Sequence, residues 1–154
     1  MTDGGSSIPA VRALLRALAS GRDVAELGTA FGEGAAAMAE TARSVVTVEH
    51  DADRVAVARE RLAPYENVRV LHGDWRELID GSYGLVFADA GAYDWERIVE
   101  LVEPGGIVVK DDLTPGRPID GDPVREFLLR DPRLVAAEIL TTPAAAAIVA
   151  VKRS

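Results

Sequence analysis

The chain is expected to fold as a doubly wound α/β domain, in which five helix-linked strands are closed by an antiparallel C-terminal hairpin. Three observations predict this. Runs such as VVTVE, GLVFAD and GIVVK stay apolar at successive positions, as strands covered on both faces do. These runs alternate with helical patterns, which implies parallel β-α-β units with right-handed crossovers. The last two strand-like segments, RLVAAEIL and AAIVAVK, are separated by little more than TTPA, too short for a crossover helix, so they should pair antiparallel.

Residues 1–7 are polar and glycine-rich and read as a flexible arm, leaving residues 8–154 as a single domain. Val11, Leu14, Leu15 and Leu18 then recur at helical spacing, with Pro9 in a first turn and Gly21 as a stop. Strand-like DVAEL follows, then helical GEGAAAMAETA, strand SVVTVE, helix DADRVAVARERLA and strand VRVLH. A short helical WRELI precedes the strand YGLVFAD. Helical DWERIVELV, strand GGIVVKD, the loop LTPGRPIDGD, helical PVREFLLRD and the two closing strands complete the chain.

A length of 154 residues with 48% hydrophobic content suits one core and is short for two. Cysteine is absent, so a metal would have to be held by oxygen or by His50 or His72, and carboxylates are the better candidates. The net charge of −8 weighs against a nucleic-acid partner, whose phosphates call for basic side chains. Apolar runs break before membrane-spanning length and the N-terminus lacks signal-peptide character, so no membrane association and a cytoplasmic location are expected.

The segment VAELGTAFGEGAAAMAE is where chemistry is expected, because ligands of open α/β sheets bind outside the carboxyl ends of the strands. Gly28, Gly32 and Gly34 allow a tight turn and close approach to main-chain amides. A dinucleotide turn wants G-x-G-x-x-G, yet alanine stands at position 30. Glu26, inside the end of the strand, would repel pyrophosphate but attract a cationic amino-acid head, directly or through water. Glu49 ends the second strand, where a carboxylate accepts both hydroxyls of a ribose.

These motifs resemble those of class I S-adenosylmethionine-dependent methyltransferases, in particular the catechol and caffeoyl-CoA O-methyltransferase-like group. The resemblance runs from about Ile8 to the C-terminus through ELGTAFGEGA, VEHDADRVAVARERL, VLHGDW, YGLVFADAGAYDW and LVEPGGIVVKDDLTPG, in that order. It implies a Rossmann-like fold with a seven-stranded, mostly parallel sheet, S-adenosylmethionine as cofactor, and methyl transfer to an oxygen of a small, catechol-like acceptor. By the same resemblance Gly28, Thr29 and Ala30 line the methionine portion, Glu49 holds the ribose and His50 packs on the adenine. Asp74 accepts from the adenine amino group while the Trp75 amide donates to the ring. Asp89 faces the methionine ammonium and the transferring methyl, as a catalytic as well as a binding residue.

The metal-dependent branch of that group places Mg²⁺ on residues matching Asp89, Asp111 and Asp112. Asp112 replaces an asparagine, which either strengthens a metal site or signals its absence. The group's lysine base falls on Ala92, so Tyr93, Asp94 and Lys110 become the neighbouring candidates. Adjacent strand residues point to opposite faces, so Asp111 and Asp112 share an ion only if the strand has ended there. Tyr93 and Trp95 follow the fourth long strand at the mouth of the expected site, as packing or as a stacking surface for an acceptor.

Three functions are therefore weighed: the methyltransferase, a module that binds S-adenosylmethionine without efficient turnover, and an NAD-binding domain, which the missing middle glycine disfavours. Acceptor specificity is expected in the loop 113–122. Because a single short helix precedes Glu26, the acceptor site is expected to be open or roofed by a second subunit, hence a homodimer.

Overall fold

The computed structural model describes residues 7–90 and 93–154. Six helices and seven strands follow one another as α1 (Pro9–Leu18), β1 (Asp23–Leu27), α2 (Glu33–Ala39), β2 (Ser44–Glu49), α3 (Ala52–Leu62), β3 (Val68–His72), α4 (Trp75–Leu78), β4 (Tyr83–Ala88), α5 (Trp95–Glu100), β5 (Val102–Leu113), α6 (Pro123–Arg130), β6 (Leu134–Thr142) and β7 (Ala145–Lys152). The element types match those read from periodicity. Expected residues 1–6 of the arm lie outside the described residues, but Ser7 is buried and its carbonyl accepts from the Arg12 guanidinium. Ser7, the last residue of the expected arm, is therefore packed against α1.

All seven strands form one sheet in the order β3-β2-β1-β4-β5-β7-β6. The pairs among β1 to β5 are parallel, and β7 runs antiparallel to both β5 and β6. The hairpin expected from the short connection is present, and β6 and β7 extend far enough to leave only Pro143 and Ala144 between them.

Side-chain alternation divides the interior into two layers. On one face Val11 and Leu15 of α1, Ala35 and Met38 of α2, and Ala58 and Leu62 of α3 pack on Val24, Val45, Leu85, Phe87, Ile107 and Val109. On the other, Trp75 of α4, Ile98 and Val99 of α5 and Leu128 of α6 pack on Ala25, Leu27, Val86, Ala88, Val108 and Ile148. Strands covered on both sides explain why the apolar runs show no polar alternation.

The chain reverses direction across the sheet between β1 and β4. These neighbours lead to helices on opposite faces, and their carboxyl ends flank a crevice. Asp89 N–H donates to Leu27 carbonyl at 3.0 Å, and Gly28 and Thr29 N–H both donate to Val48 carbonyl, at 2.9 and 3.0 Å. The glycine turn is thereby bound to the strands on either side of it.

Candidate functional site

A cleft of 520 Å³ opens at this crevice, within the range of small-molecule sites. Of the residues singled out by sequence, Gly28, Ala30, Glu49, His50, Asp74, Trp75, Asp89 and Asp112 line it. Glu26, Thr29, Gly32, Gly34, Lys110 and Asp111 are not among its lining residues.

The three glycines serve the turn in different ways. Gly28 is at φ +103, and a Cβ there would meet Ala90 N at 3.1 Å, so the missing side chain also admits the chain leaving β4. Gly32 caps α2 at φ +90, a backbone region that suits glycine. Gly34 belongs to α2 itself, where a Cβ would stand 2.6 Å from Glu26 Oε2; glycine is present to make room for a buried carboxyl, and the expected approach to ligand is not its role.

Glu26 is 1% exposed, which removes the expected direct contact with a ligand's cationic head. Thr47 Oγ1 donates to Glu26 Oε1 at 2.6 Å, leaving the Thr29 hydroxyl to donate to Thr47 Oγ1 at 2.6 Å. A chain of hydrogen bonds thus supports the glycine turn from beneath. Burial pushes the Glu26 carboxyl well above its ordinary range, and Asp89, Asp111 and Glu49 push it the same way.

Glu49 Oε1 accepts from Ala30 N–H at 2.9 Å, while Oε2 accepts from the N–H groups of His50 and Asp51 at 2.9 and 3.1 Å. Three main-chain donors occupy most of its roughly four acceptor positions, so one remains where a diol would use two. The His50 ring is 87% exposed, with Nδ1 3.2 Å from Glu49 Oε2. Asp74 caps α4 by accepting from Arg76 N–H at 2.9 Å, and the Trp75 indole is buried in the core, so Trp75 presents main chain to the cleft.

At the carboxyl ends of β4 and β5 the register Phe87 to Val109 brings Asp89 beside Asp111 two residues later. Burial, then the Asp111 charge, raise the Asp89 carboxyl to about 8; burial likewise raises Asp111. Lys110 opposes both shifts. Its Nζ donates to the Asp111 carbonyl at 2.7 Å and lies 3.9 Å from Asp111 Oδ1.

β5 does not end before Asp112, contrary to the condition set above, but it bulges. Asp111 and Asp112, between Lys110 and Leu113, together oppose the single residue Ala147 of β7, and Asp112 takes φ +59. The bulge breaks the alternation that would have put Asp111 and Asp112 on opposite faces. Even so, among the described residues no three acidic or histidine side chains converge as a metal site. Asp112 turns to the cleft, while the partner of Asp111 is Lys110. As placed, the residues do not fit a divalent ion.

No family model matches the chain. Among curated proteins it is 31% identical over 118 residues to a protein-L-isoaspartate O-methyltransferase of Rhodopseudomonas palustris (strain BisB5), a match covering 73% of this chain and 51% of that protein. A ribosomal RNA small subunit methyltransferase A of Syntrophus aciditrophicus (strain SB) is 45% identical over 51 residues, covering 33% of this chain and 18% of that one. The chain thus spans about half the length, or less, of these curated relatives. Among solved structures, the O-methyltransferase TomG from Streptomyces achromogenes in complex with SAM superposes with a TM-score of 0.77 at 21% identity, covering 100% of this chain and 84% of its own. An O-methyltransferase from Bacillus cereus in complex with SAH gives 0.78 at 19%, covering 97% and 83%. A rRNA methylase from Streptococcus thermophilus gives 0.72 at 14%, covering 94% and 95%.

The chain has the class I methyltransferase fold.

Within that fold, sequence reasoning missed Arg54 and Arg76 at the cleft, together with Val48, Gly73 and Ala90. A signal for Arg54 was present in Asp51, whose side chain caps α3 by accepting Arg54 N–H at 2.9 Å and so fixes that turn at the rim. Arg125 was also missed. This buried arginine donates to Glu138 at 2.5 Å, Asp122 at 2.6 Å and Thr114 carbonyl at 2.7 Å, and so fastens the loop 113–122 at both ends. Tyr93 and Trp95 stack on each other, with centroids 4.8 Å apart, and Trp95 stacks in turn on Phe127. The position matching the group's lysine base, Ala92, lies outside the described residues.

Two outcomes are expected. Gly34→Ala should destabilise the fold by about 1–3 kcal/mol in urea denaturation, because the new methyl meets a carboxyl that has no room to move. The raised Asp89 carboxyl means that the folded chain holds a proton which the unfolded chain releases near pH 4, so this contribution to stability is complete below that pH and is lost as pH rises towards about 8. The urea midpoint should accordingly fall between pH 5 and 8, and Asp89→Asn should flatten that fall; an unchanged slope would show that Asp89 titrates normally.

Proposed function

We propose that the chain is an S-adenosylmethionine-dependent methyltransferase acting on an oxygen of a small molecule. The observation carrying this reading is the convergence of the glycine turn, Glu49, Asp74 and Asp89 on one cleft at the β1/β4 crevice. The chemistry of the cleft suits a cationic cofactor. A ligand bearing a sulfonium and an ammonium lowers the pKa of a nearby acid, so Asp89 would lose its proton as the cation arrives.

In this reading Gly28, Thr29 and Ala30 shape the methionine end, Gly32 and Gly34 set the turn and α2, and Glu26 supports them from below. Glu49 accepts from a ribose hydroxyl and His50 covers the adenine. Asp74 accepts from the adenine amino group and the Trp75 N–H donates to its ring. Asp89 faces the ammonium and the methyl. The acceptor oxygen attacks the methyl carbon in line as the C–S bond breaks; the bonding pair stays on sulfur, giving S-adenosylhomocysteine, and the acceptor's proton passes to a base. Asp89, which lines the cleft, is the residue assigned as that base, with Lys110 as the charged residue behind it, and alignment behind the C–S bond supplies much of the acceleration. No step is routed through Mg²⁺, since the carboxylates do not converge on an ion.

A small acceptor is supported by the superposition on O-methyltransferases, while the net charge of −8 and the acidic cleft disfavour polyphosphate partners. No helix among the described residues is long and apolar enough to cross a membrane. The module without turnover is the second reading, favoured by alanine at the position of the group's lysine base. The homodimer belongs to the same proposal: edge strand β6 leaves Val135 and Leu140 exposed, and sedimentation equilibrium should show a dimer, with a monodisperse monomer removing it.

Calorimetry with S-adenosylmethionine, S-adenosylhomocysteine and NAD tests the cofactor. Both sulfur compounds should bind, and Glu49→Gln should weaken them about tenfold, or about 1.4 kcal/mol, with an unchanged circular dichroism spectrum. Binding of NAD without response to either sulfur compound would sink the reading. Product from an acceptor screen separates the enzyme from the binding module.

A further inference from the structure

We infer that the Lys110 ammonium is the resident cation of the carboxylate cluster, standing where a divalent metal would otherwise be needed, and that the cleft binds its ligand without a metal. The inference goes beyond the cofactor reading and does not depend on it. Lys110 is buried at the end of β5. Its Nζ is held on three sides: the Asp111 carbonyl at 2.7 Å, Asp111 Oδ1 at 3.9 Å and the face of the Tyr93 ring at 5.3 Å.

Two features turn this arrangement into an assignment. Asp111 Oδ1 is buried and has no hydrogen-bond partner, and the Lys110 ammonium is the cation 3.9 Å from it. A buried charge left unmatched is costly, which makes the lysine and the aspartate mutually necessary. A divalent ion bonded to the same oxygen would be forced close to the ammonium, and the two cations would repel. The bulge completes the arrangement by directing Asp112 into the cleft. Asp89 lines the same cleft, yet among the described residues no three acidic or histidine side chains come together as a metal site. Lysine 110 belongs to the strand, so its position is set by the sheet register to Ile148 of β7 and not by a loop.

The test is Mn²⁺ titrated into the full chain without cofactor, with free Mn²⁺ read by electron paramagnetic resonance, alongside thermal shifts with Mg²⁺. The wild type is expected to leave millimolar Mn²⁺ free and to show no Mg²⁺-dependent shift. Lys110→Met, which uncovers the carboxylates, should bind Mn²⁺ at least tenfold more tightly than the wild type, whereas Lys110→Arg should remain indifferent. Stoichiometric Mn²⁺ uptake by the wild type that Asp111→Asn abolishes would overturn the inference, as would a folded Lys110→Met with no gain. Should Lys110→Met fail to fold, the wild-type and Lys110→Arg titrations decide alone. Because these titrations contain no cofactor, their failure is separate from that of S-adenosylmethionine binding, which is measured in EDTA.

Discussion

A carboxyl group with almost no access to water stands on β1, an interior strand of this sheet, and the site is arranged around it. Glu26 has only Thr47 for its hydroxyl donor, and Thr47 in turn takes the Thr29 hydroxyl. α2 begins with a small residue at Gly34 because a methyl group there would strike the same carboxyl. The position of the turn over β1, the helix that leaves it and the register of β2 against β1 are therefore one coupled arrangement. Without such support, burial of the acid would cost more than the packing around it returns.

Glu26 also sets the sign of the surroundings. Asp89 and Asp111 follow on β4 and β5, the next strands across the sheet; burial raises both carboxyls, and the Asp111 charge raises Asp89 further. A cluster of this kind is neutralised by protons, by a cation within the protein or by a cationic ligand. An anion such as pyrophosphate would meet Glu49, Asp74, Asp89 and Asp112 in the cleft, whereas a cation would favour the ionised form of Asp89, whose carboxyl burial raises to about 8. The likeness to methyltransferases with 14 to 21% identity is one of fold, and it is this charge pattern that gives the fold a chemical direction in the present chain.

How much of this was legible depended on the range of the interaction. Every element followed from local periodicity, and the terminal hairpin from the length of one connection, because those are properties of neighbouring residues. The cleft residues at strand ends, Glu49, Asp74 and Asp89, were legible for the same reason: a parallel sheet places the carboxyl ends of its strands together. What could not be read were contacts across strands. Gly34 looks like part of a ligand turn until Glu26 is seen against it, and Glu49 looks like a free acceptor until three amides are found on it. Arg125 gave no local sign of its role, since its partners come from α6's own cap, the preceding loop and β6.

The end of β5 shows why pairwise spacing misleads most where a strand meets a site. Strict alternation would send Lys110 and Asp112 to one face and Asp111 to the other, separating the two acids and stranding the lysine behind the sheet. One extra residue changes this. With Asp112 in a left-handed conformation the strand twists, Asp112 turns to the cleft, and the Lys110 chain curls over its neighbour's carbonyl to reach the carboxylate side. Aspartate tolerates that conformation better than most residues other than glycine and asparagine, so a position that looks like a lost metal ligand is equally well explained by backbone shape. On that account, the aspartate in place of the related group's asparagine keeps the left-handed turn while adding charge.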